Sequence, residues 1–352
     1  MNILNDVHIG VDRINGTTAA SRLALRYYLR DNFRELVMSP AFWADDLCLL
    51  GDLFDGPNIP LEDLYDTYLT LTYWLEATDR RLFLVNGNHD LSKDSSVKSS
   101  FQLLAGLLVS RYPEYVVHID RPTKVRENVY IIPHLTNQAE FDQALAETPA
   151  CQYLLVHANY DNHFARQADH SLNLSAEQAA SLPVGTIVFA HEHQQRTGLA
   201  GKVQVIGNQW ASSIADCLGN DTKRYATLAP AGIRYTPVSR VSDFYREVDW
   251  RELETADDTP FVRVVGAASD VDSATAVRAI SDFRGRSSSY VITNAVQIGT
   301  SKVDAESFES AMASVAGFDA ITSLRRLITD PLQTAMLEAS IKRVAPEDKA
   351  DF

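Results

Sequence analysis

The sequence predicts an α/β sandwich in which buried strands end in short loops rich in Asp, Asn and His. Three observations carry this prediction. Apolar runs at 1–4, 47–50, 82–85, 153–156 and 186–189 are too short for helices and too continuous for half-exposed strands. Each is followed at once by a polar motif: Asp6-Val7-His8, Gly51-Asp52-Leu53-Phe54-Asp55, Gly87-Asn88-His89-Asp90, His157 and His191-Glu192-His193. Segments with helical spacing and capping residues alternate with the runs, and strand ends are where an α/β sheet displays its ligands.

Taken in order, the first strand is unusually short. The few residues before Asp6 point either to a truncated strand or to a start codon assigned late. Residues 17–38 read as a helix, with Thr17 or Thr18 as cap and Leu23, Tyr27, Phe33 and Val37 at partly helical spacing. A second helix covers 61–79, with Leu64, Tyr68, Leu71 and Leu75 on one face. Ser175-Ala176-Glu177-Gln178 is a capping-box pattern opening a short helix that Pro183 closes. Strands at 203–206, 225–228 and 232–237 would complete the sheets, with a Gly207-Asn208 turn and a polar loop at 216–223 between them.

The charged, irregular stretch 242–259 places a boundary near 242. Beyond it, 261–266, 273–284 and 289–296 read as strand, helix, strand, a small α/β cap. The rest is helical: 304–316 is one candidate, and Asp330-Pro331-Leu332-Gln333 opens another with Asp at N-cap and Pro at the first helical position. Its apolar stripe of Leu332, Ala335, Met336 and Ala339 suits either an intramolecular core or a partner site. The expected domains are therefore 1–241, 242–303 and 304–352.

Composition bounds the function. Three scattered cysteines (Cys48, Cys151, Cys217) supply neither a disulfide framework nor a thiolate metal site, which fits a reducing cytoplasm. No signal peptide or membrane-spanning run is apparent, and no membrane partner is expected. The net charge of -14 is the reverse of the basic face with which a protein grips DNA alone. Either the substrate is not nucleic acid or a partner supplies the grip.

The polar motifs match what a dinuclear metal centre needs: a carboxylate able to bridge, and oxygen and nitrogen ligands for each ion. Asp6, His8, Asp52, Asn88, His157, His191 and His193 form such a set. His89 is left over beside it and suits a general acid toward a leaving oxygen. Asp55, three residues after Asp52, would receive a ring N–H and fix the tautomer of His89. A lone histidine is usually a surface or satisfied core residue, and His118, His134, His163 and His170 are read that way. The motif histidines escape that reading jointly, because chance would also have to supply the acids and the amide. Asp90 is either a helix cap or a catalytic group. Trp210 is read as core rather than as a base-stacking platform.

In this order the motifs resemble those of the calcineurin-like metallophosphoesterase superfamily, over roughly residues 1–240. The resemblance implies a two-sheet metallophosphoesterase sandwich flanked by helices. Asp6, His8 and His193 would hold one metal, Asn88, His157 and His191 the other, and Asp52 would bridge them. It also implies two divalent ions, manganese first, with iron, zinc or magnesium as alternatives. Ala190 stands where that family usually has Gly. Glu192 is an unusual charge between two ligands: it would damp binding of an anionic substrate or point away. The phosphoesterase, cap and tail layout, with Gly51-Asp52-Leu53-Phe54-Asp55 and Val205-Ile206-Gly207-Asn208-Gln209-Trp210, is similar to SbcD-type nuclease subunits, above all the bacteriophage recombination form. That likeness implies DNA as substrate, a coiled-coil ABC-type ATPase of the SbcC kind as partner for the tail, and a homodimer as a further assembly. The setting would be a bacterial cytoplasm or an infected host cell. A stand-alone phosphatase or small phosphodiesterase is the second expectation, and an inactive scaffold for an ATPase the third.

Overall fold

The computed structural model describes residues 1–11, 19–94, 96–162, 171–219, 222–269 and 271–298. The predicted tail helices, His163, His170, Thr17 and Thr18 lie outside the described residues.

Two six-stranded sheets form the centre. The first contains β1 (Asn2–Leu4), β2 (Leu47–Leu50), β3 (Leu82–Val85), β4 (Val116–Ile119), β13 (Thr222–Ala229) and β14 (Gly232–Arg240), in the order β14-β13-β1-β2-β3-β4. The second contains β5 (Thr123–Arg126), β6 (Val129–Ile132), β7 (Cys151–His157), β10 (Val184–Ala190), β11 (Arg196–Gly198) and β12 (Val203–Val205), in the order β11-β12-β10-β7-β6-β5. A small pair, β8 (Asn159–Tyr160) and β9 (Asn173–Leu174), stands beside β10. Strands β1 to β4 are parallel, as are β6, β7, β10 and β12, while β13, β14, β11 and β5 pair antiparallel.

Alternation along each apolar run builds the layers, because successive side chains point to opposite faces. Ile3, Cys48, Leu50, Phe83 and Val85 meet Val129, Ile131, Tyr153, Leu155 and Val188 in the core between the sheets. The alternate residues Leu4, Leu47, Leu49, Leu82 and Leu84 face helices α1 (Ala19–Met38), α2 (Leu61–Thr78) and α3 (Ser100–Arg111). On the far side, Leu154, Val156, Ile187 and Phe189 pack against α4 (Gln138–Ala146) and α5 (Ala176–Ser181). The product is a helix–sheet–sheet–helix sandwich. Strands buried on both faces explain why the runs are continuously apolar.

Helices α3 and α4 and strands β4 to β6 go beyond what the sequence reading assigned. Helix α3 carries a complete capping box, Ser99 with Gln102, and Asn137 caps α4 through the Glu140 amide. The expected box at Ser175 and Gln178 is also formed.

The strand–helix–strand expected after 260 is present as β16 (Phe261–Ala268), α6 (Ser273–Arg286) and β17 (Tyr290–Ile298). The stretch read as irregular also supplies β15 (Tyr245–Asp249), parallel to β16, so the small sheet has three strands. Phe244 and Phe261 join the core under α1, with ring centroids 5.9 and 6.3 Å from Tyr28. Contacts divide the chain into one unit of Met1–Gly266 with Ala274–Val296 and another of Ala267–Ser273 with Gln297–Phe352. In the second, Ser269 Oγ donates to Asp272 Oδ2 at 2.7 Å across a turn. Among the described residues, no helix is long and apolar enough to cross a membrane.

Candidate metal centre

The ligand-bearing loops leave the C-terminal ends of β1, β2, β3, β7 and β10, so five distant sequence segments converge at one end of the two sheets. The loops are tightly bent. Asp6, His8, Asp52 and His191 all adopt left-handed backbone, at φ 49, 54, 50 and 82°. Such conformations are uncommon outside glycine and gather at functional sites, where surrounding structure holds them in place. Here the Asp6 amide donates to Gly51 O and the His8 amide to Asp52 O, both at 3.1 Å, knitting the first two loops together.

Two glycines make room for the convergence. A Cβ on Gly51 would lie 2.2 Å from His157 Nδ1. A Cβ on Gly87 would lie 2.2 Å from both the amide N and the Oδ1 of Asp52. Neither position tolerates a side chain without displacing a candidate ligand.

All seven predicted ligands come together, in two groups. In the first, His8 Nε2 and His193 Nε2 are 3.1 Å apart, and Asp6 Oδ1 lies 4.0 Å from His193 Nε2. The other Asp6 oxygen is held by the His191 amide at 2.9 Å and by the Asn5 side chain. Asp6 Oδ1 itself is buried without any hydrogen-bond partner. In the second group, His157 Nε2 faces Asn88 Oδ1 at 3.0 Å and Asp52 Oδ2 at 3.4 Å, with His191 alongside at a ring separation of 5.3 Å. His157 Nδ1 donates to Leu50 O at 3.0 Å, which leaves Nε2 as the nitrogen turned to the oxygens.

This set fits divalent cations. Adjacent nitrogens bound to one ion at about 2.0–2.1 Å lie roughly 3 Å apart, as the two Nε2 atoms do. An orphaned carboxylate oxygen beside them would otherwise carry the full desolvation cost of a buried acceptor. Oxygen and imidazole donors with no thiolate suit manganese, iron or zinc.

Electrostatics follow from burial and proximity. Burial alone would lower His157, but the adjoining Asp52 carboxylate raises it to about 9. Burial would raise Asp52, and His157 holds it well below the usual carboxylate range instead. For His191, burial and the His157 charge outweigh the Asp52 and Asp6 carboxylates and lower it to about 4. Burial opposes protonation of His193, yet its partner Asp216 raises it.

Asp55 and Asp90 differ from expectation, whereas Glu192 takes the pointing-away alternative and Trp210 is core as read. Asp55 does not hold His89 through its carboxylate: its backbone carbonyl accepts from His89 Nδ1 at 2.8 Å. The Asp55 carboxylate instead lies 3.1 Å from His8 Nδ1, off the angle of a hydrogen bond. Asp90 caps no helix, since α3 begins only at Ser100. It is buried and accepts from the Gly87 and Phe54 amides at 3.0 and 3.1 Å, bracing the second and third loops against each other. Burial, with Asp52 nearby, raises its carboxyl to about 7. Glu192 turns away from the ligands, accepting from the Tyr160 amide at 2.6 Å and pairing with Arg196 at 2.7 Å. Trp210 is buried against Phe33 and offers no stacking face.

Two residues of the site were not singled out from the sequence. His134, read there as structural, stands edge-on to His157 at 6.3 Å, and its amide donates to Asn86 O. Asp216, read as part of a polar loop, accepts from His193 Nδ1 at 3.0 Å. No local signal marks either; the Asp216 loop is twenty-odd residues downstream of its histidine and meets it only through folding. His118, by contrast, donates from Nε2 to Asn86 Oδ1 at 2.8 Å and packs on Phe101.

Residues 2–195 match the model of a family described as calcineurin-like phosphoesterase, a span that contains every candidate ligand. No curated protein matches the chain.

Proposed function

The chain belongs to the calcineurin-like phosphoesterase family, and from that premise we propose that it is a metal-dependent DNA nuclease, the nuclease subunit of an ATPase complex that processes DNA ends. The coarser activity is that of the family, metal-dependent hydrolysis of phosphoester bonds with two divalent ions. The observation that carries the finer reading is the three-stranded α/β module of β15, β16, α6 and β17 that follows the phosphoesterase fold, in the layout of SbcD-type nucleases. Asp6, His8 and His193 would hold one ion and Asn88, His157 and His191 the other, with Asp52 between them. Bound there, the ions supply charge neutralisation for both the attacking and the leaving oxygen of a phosphoryl displacement.

The chain's own groups do the rest. The Asp55 carbonyl accepts the Nδ1–H of His89, so the imidazolium form donates its Nε2 proton to the departing sugar oxygen and is left as the neutral Nδ1–H ring. The Asp55 carboxylate, 3.1 Å from His8 Nδ1, places a negative charge beside that ring. Asp90 and the two glycines keep the loops in register. The expected partners are DNA, a coiled-coil ABC-type ATPase at the tail, and a second copy of the chain. The last is supported by Leu61, Tyr65, Leu69 and Tyr73, which form an outward apolar stripe at four-residue spacing along α2.

The test compares manganese-dependent turnover on linear duplex DNA, a chromogenic phosphodiester and a phosphomonoester, with and without the ATPase. DNA cleavage that rises with the ATPase supports the proposal. Exclusive action on the phosphomonoester would replace it with a stand-alone phosphatase, the reading that the net charge of -14 favours.

A further inference from the structure

We infer that Asp216 is the positioning residue for His193, locked in that role by a buried Lys223–Asn208 clamp; the inference rests on the metal-dependent phosphoesterase reading. Asp216 uses its two oxygens for different purposes. Oδ1 faces His193 Nδ1 at 3.0 Å. Oδ2 collects the other donors: the amides of Ser212 and Ser213 at 2.9 Å each, Ser212 Oγ at 3.1 Å and Asn208 Nδ2 at 3.0 Å. The carboxylate cannot rotate without breaking several of these bonds, so Oδ1 is reserved for the imidazole.

Asn208 is itself oriented. Its Oδ1 accepts from Lys223 Nζ at 2.8 Å, which forces its NH2 toward Asp216. Lys223 is fully buried. Its ammonium balances the Asp216 charge through the amide and also lies 3.5 Å from His193 O. The Asn208 amide donates to that same carbonyl at 3.3 Å. The histidine is thus held at ring and backbone by one connected network.

The consequence is a choice of tautomer. Only an acceptor faces His193 Nδ1, so the ring proton resides there. Nε2 is left bare, and Nε2 is the atom that faces His8 Nε2 at 3.1 Å and Asp6 Oδ1 at 4.0 Å. A carboxylate that fixes the ring and raises its basicity in this way tunes metal affinity.

Asp216→Asn tests the inference with little change of shape. The donors around Oδ2 retain the amide oxygen there, which turns the new NH2 toward His193 Nδ1, donor against donor. Relief requires the ring proton to move to Nε2, where it blocks ligation. Manganese titration followed by electron paramagnetic resonance of the free ion should show one of two sites weakened by about 10–100-fold and the other retained. A second measurement does not depend on the variant: nitrogen NMR of the metal-free wild type, in solution alkaline enough to leave the ring neutral. It should show His193 as the Nδ1–H tautomer, assigned by loss of the signal in His193→Gln. An Nε2–H tautomer in the wild type, or two unchanged manganese affinities in folded Asp216→Asn, overturns the positioning role alone. A wild type that binds no manganese overturns the phosphoesterase reading as well.

Discussion

His89 sits half-buried at the rim of the ligand cluster, its ring edge-on to His8 at 5.0 Å and its Nδ1 occupied by the Asp55 carbonyl. That arrangement separates chemistry from metal binding. His89→Gln is expected to lower phosphodiester turnover by about 10²–10⁴-fold, the range for losing a general acid–base group. Manganese stoichiometry, measured by elemental analysis, should stay at the wild-type value; loss of metal in this variant would show that His89 is a ligand. A different outcome is expected at Gly87, where a Cβ would meet Asp52 backbone and carboxylate at once. Gly87→Ala should lower metal-free stability by about 1–3 kcal/mol, the usual cost of overpacking, and weaken manganese binding as Asp52 shifts. Gly56, in the same loop as Asp55, has open space around it, so Gly56→Ala is the matched control, and thermal unfolding of the pair makes the comparison.

Among elements, the two sheets are tied by an ion pair at the end where β2 begins. Asp46, immediately before β2, pairs with Arg126 at the end of β5 and accepts from the Arg81 amide at 3.1 Å. Burial works against the Asp46 charge, but Arg126 and the Arg81 amide prevail and its carboxyl is lowered. A carboxyl lowered on folding stabilises the native state above its unfolded pKa of about 3.9, and that stabilisation is lost as pH falls through the folded value. Asp46→Asn should therefore cost about 1.5–3 kcal/mol near neutrality, as for a hydrogen-bonded charge. Urea unfolding at several pH values should show the gap to wild type closing on acidification; a gap independent of pH would show that the charge does not matter. The helix caps make smaller contributions, about 1 kcal/mol for the Ser99 side chain that closes the α3 box.

For the whole molecule, the question is how a chain of net charge -14 handles a polyanion. Bound cations at Asp6 and Asp52 offset part of the charge, and the remainder leaves little sequence-independent affinity for DNA. Under the nuclease proposal the grip resides in the ATPase, and residues 304–352 are the link. Truncation at residue 303 is expected to preserve manganese-dependent cleavage of a small chromogenic phosphodiester. The same truncation should abolish co-purification with the ATPase and ATP-dependent processing of duplex DNA. Duplex processing that survives truncation would remove the tail from the complex and favour a self-sufficient phosphodiesterase.

The ligand loops were legible in the sequence because their signals are local. A strand buried on both faces must be continuously apolar, as in Leu47–Leu50 and Leu82–Val85, and the ligands follow within a few residues of its end. The capping box at Ser175 was legible for the same reason, and that at Ser99 has the same local signature. Three-dimensional structure alone decided how those ligands are used. Which nitrogen each imidazole turns inward depends on Leu50 O for His157 and on Asp216 for His193, contacts made between distant loops. Asp55 follows the bridging candidate Asp52 by three residues, the spacing that makes it the expected partner of His89, yet the chain bends at Asp52, φ 50°, and its carboxylate lies beside His8 while only its carbonyl meets His89. Glu192 sits between two ligands in the sequence, but the chain bends at His191, φ 82°, and the Glu192 carboxylate is taken by Arg196 and the Tyr160 amide. Residue type and order select the chemistry; the tautomers, the second carboxylate and the burial that shifts each charge exist only where the two sheets close upon one another.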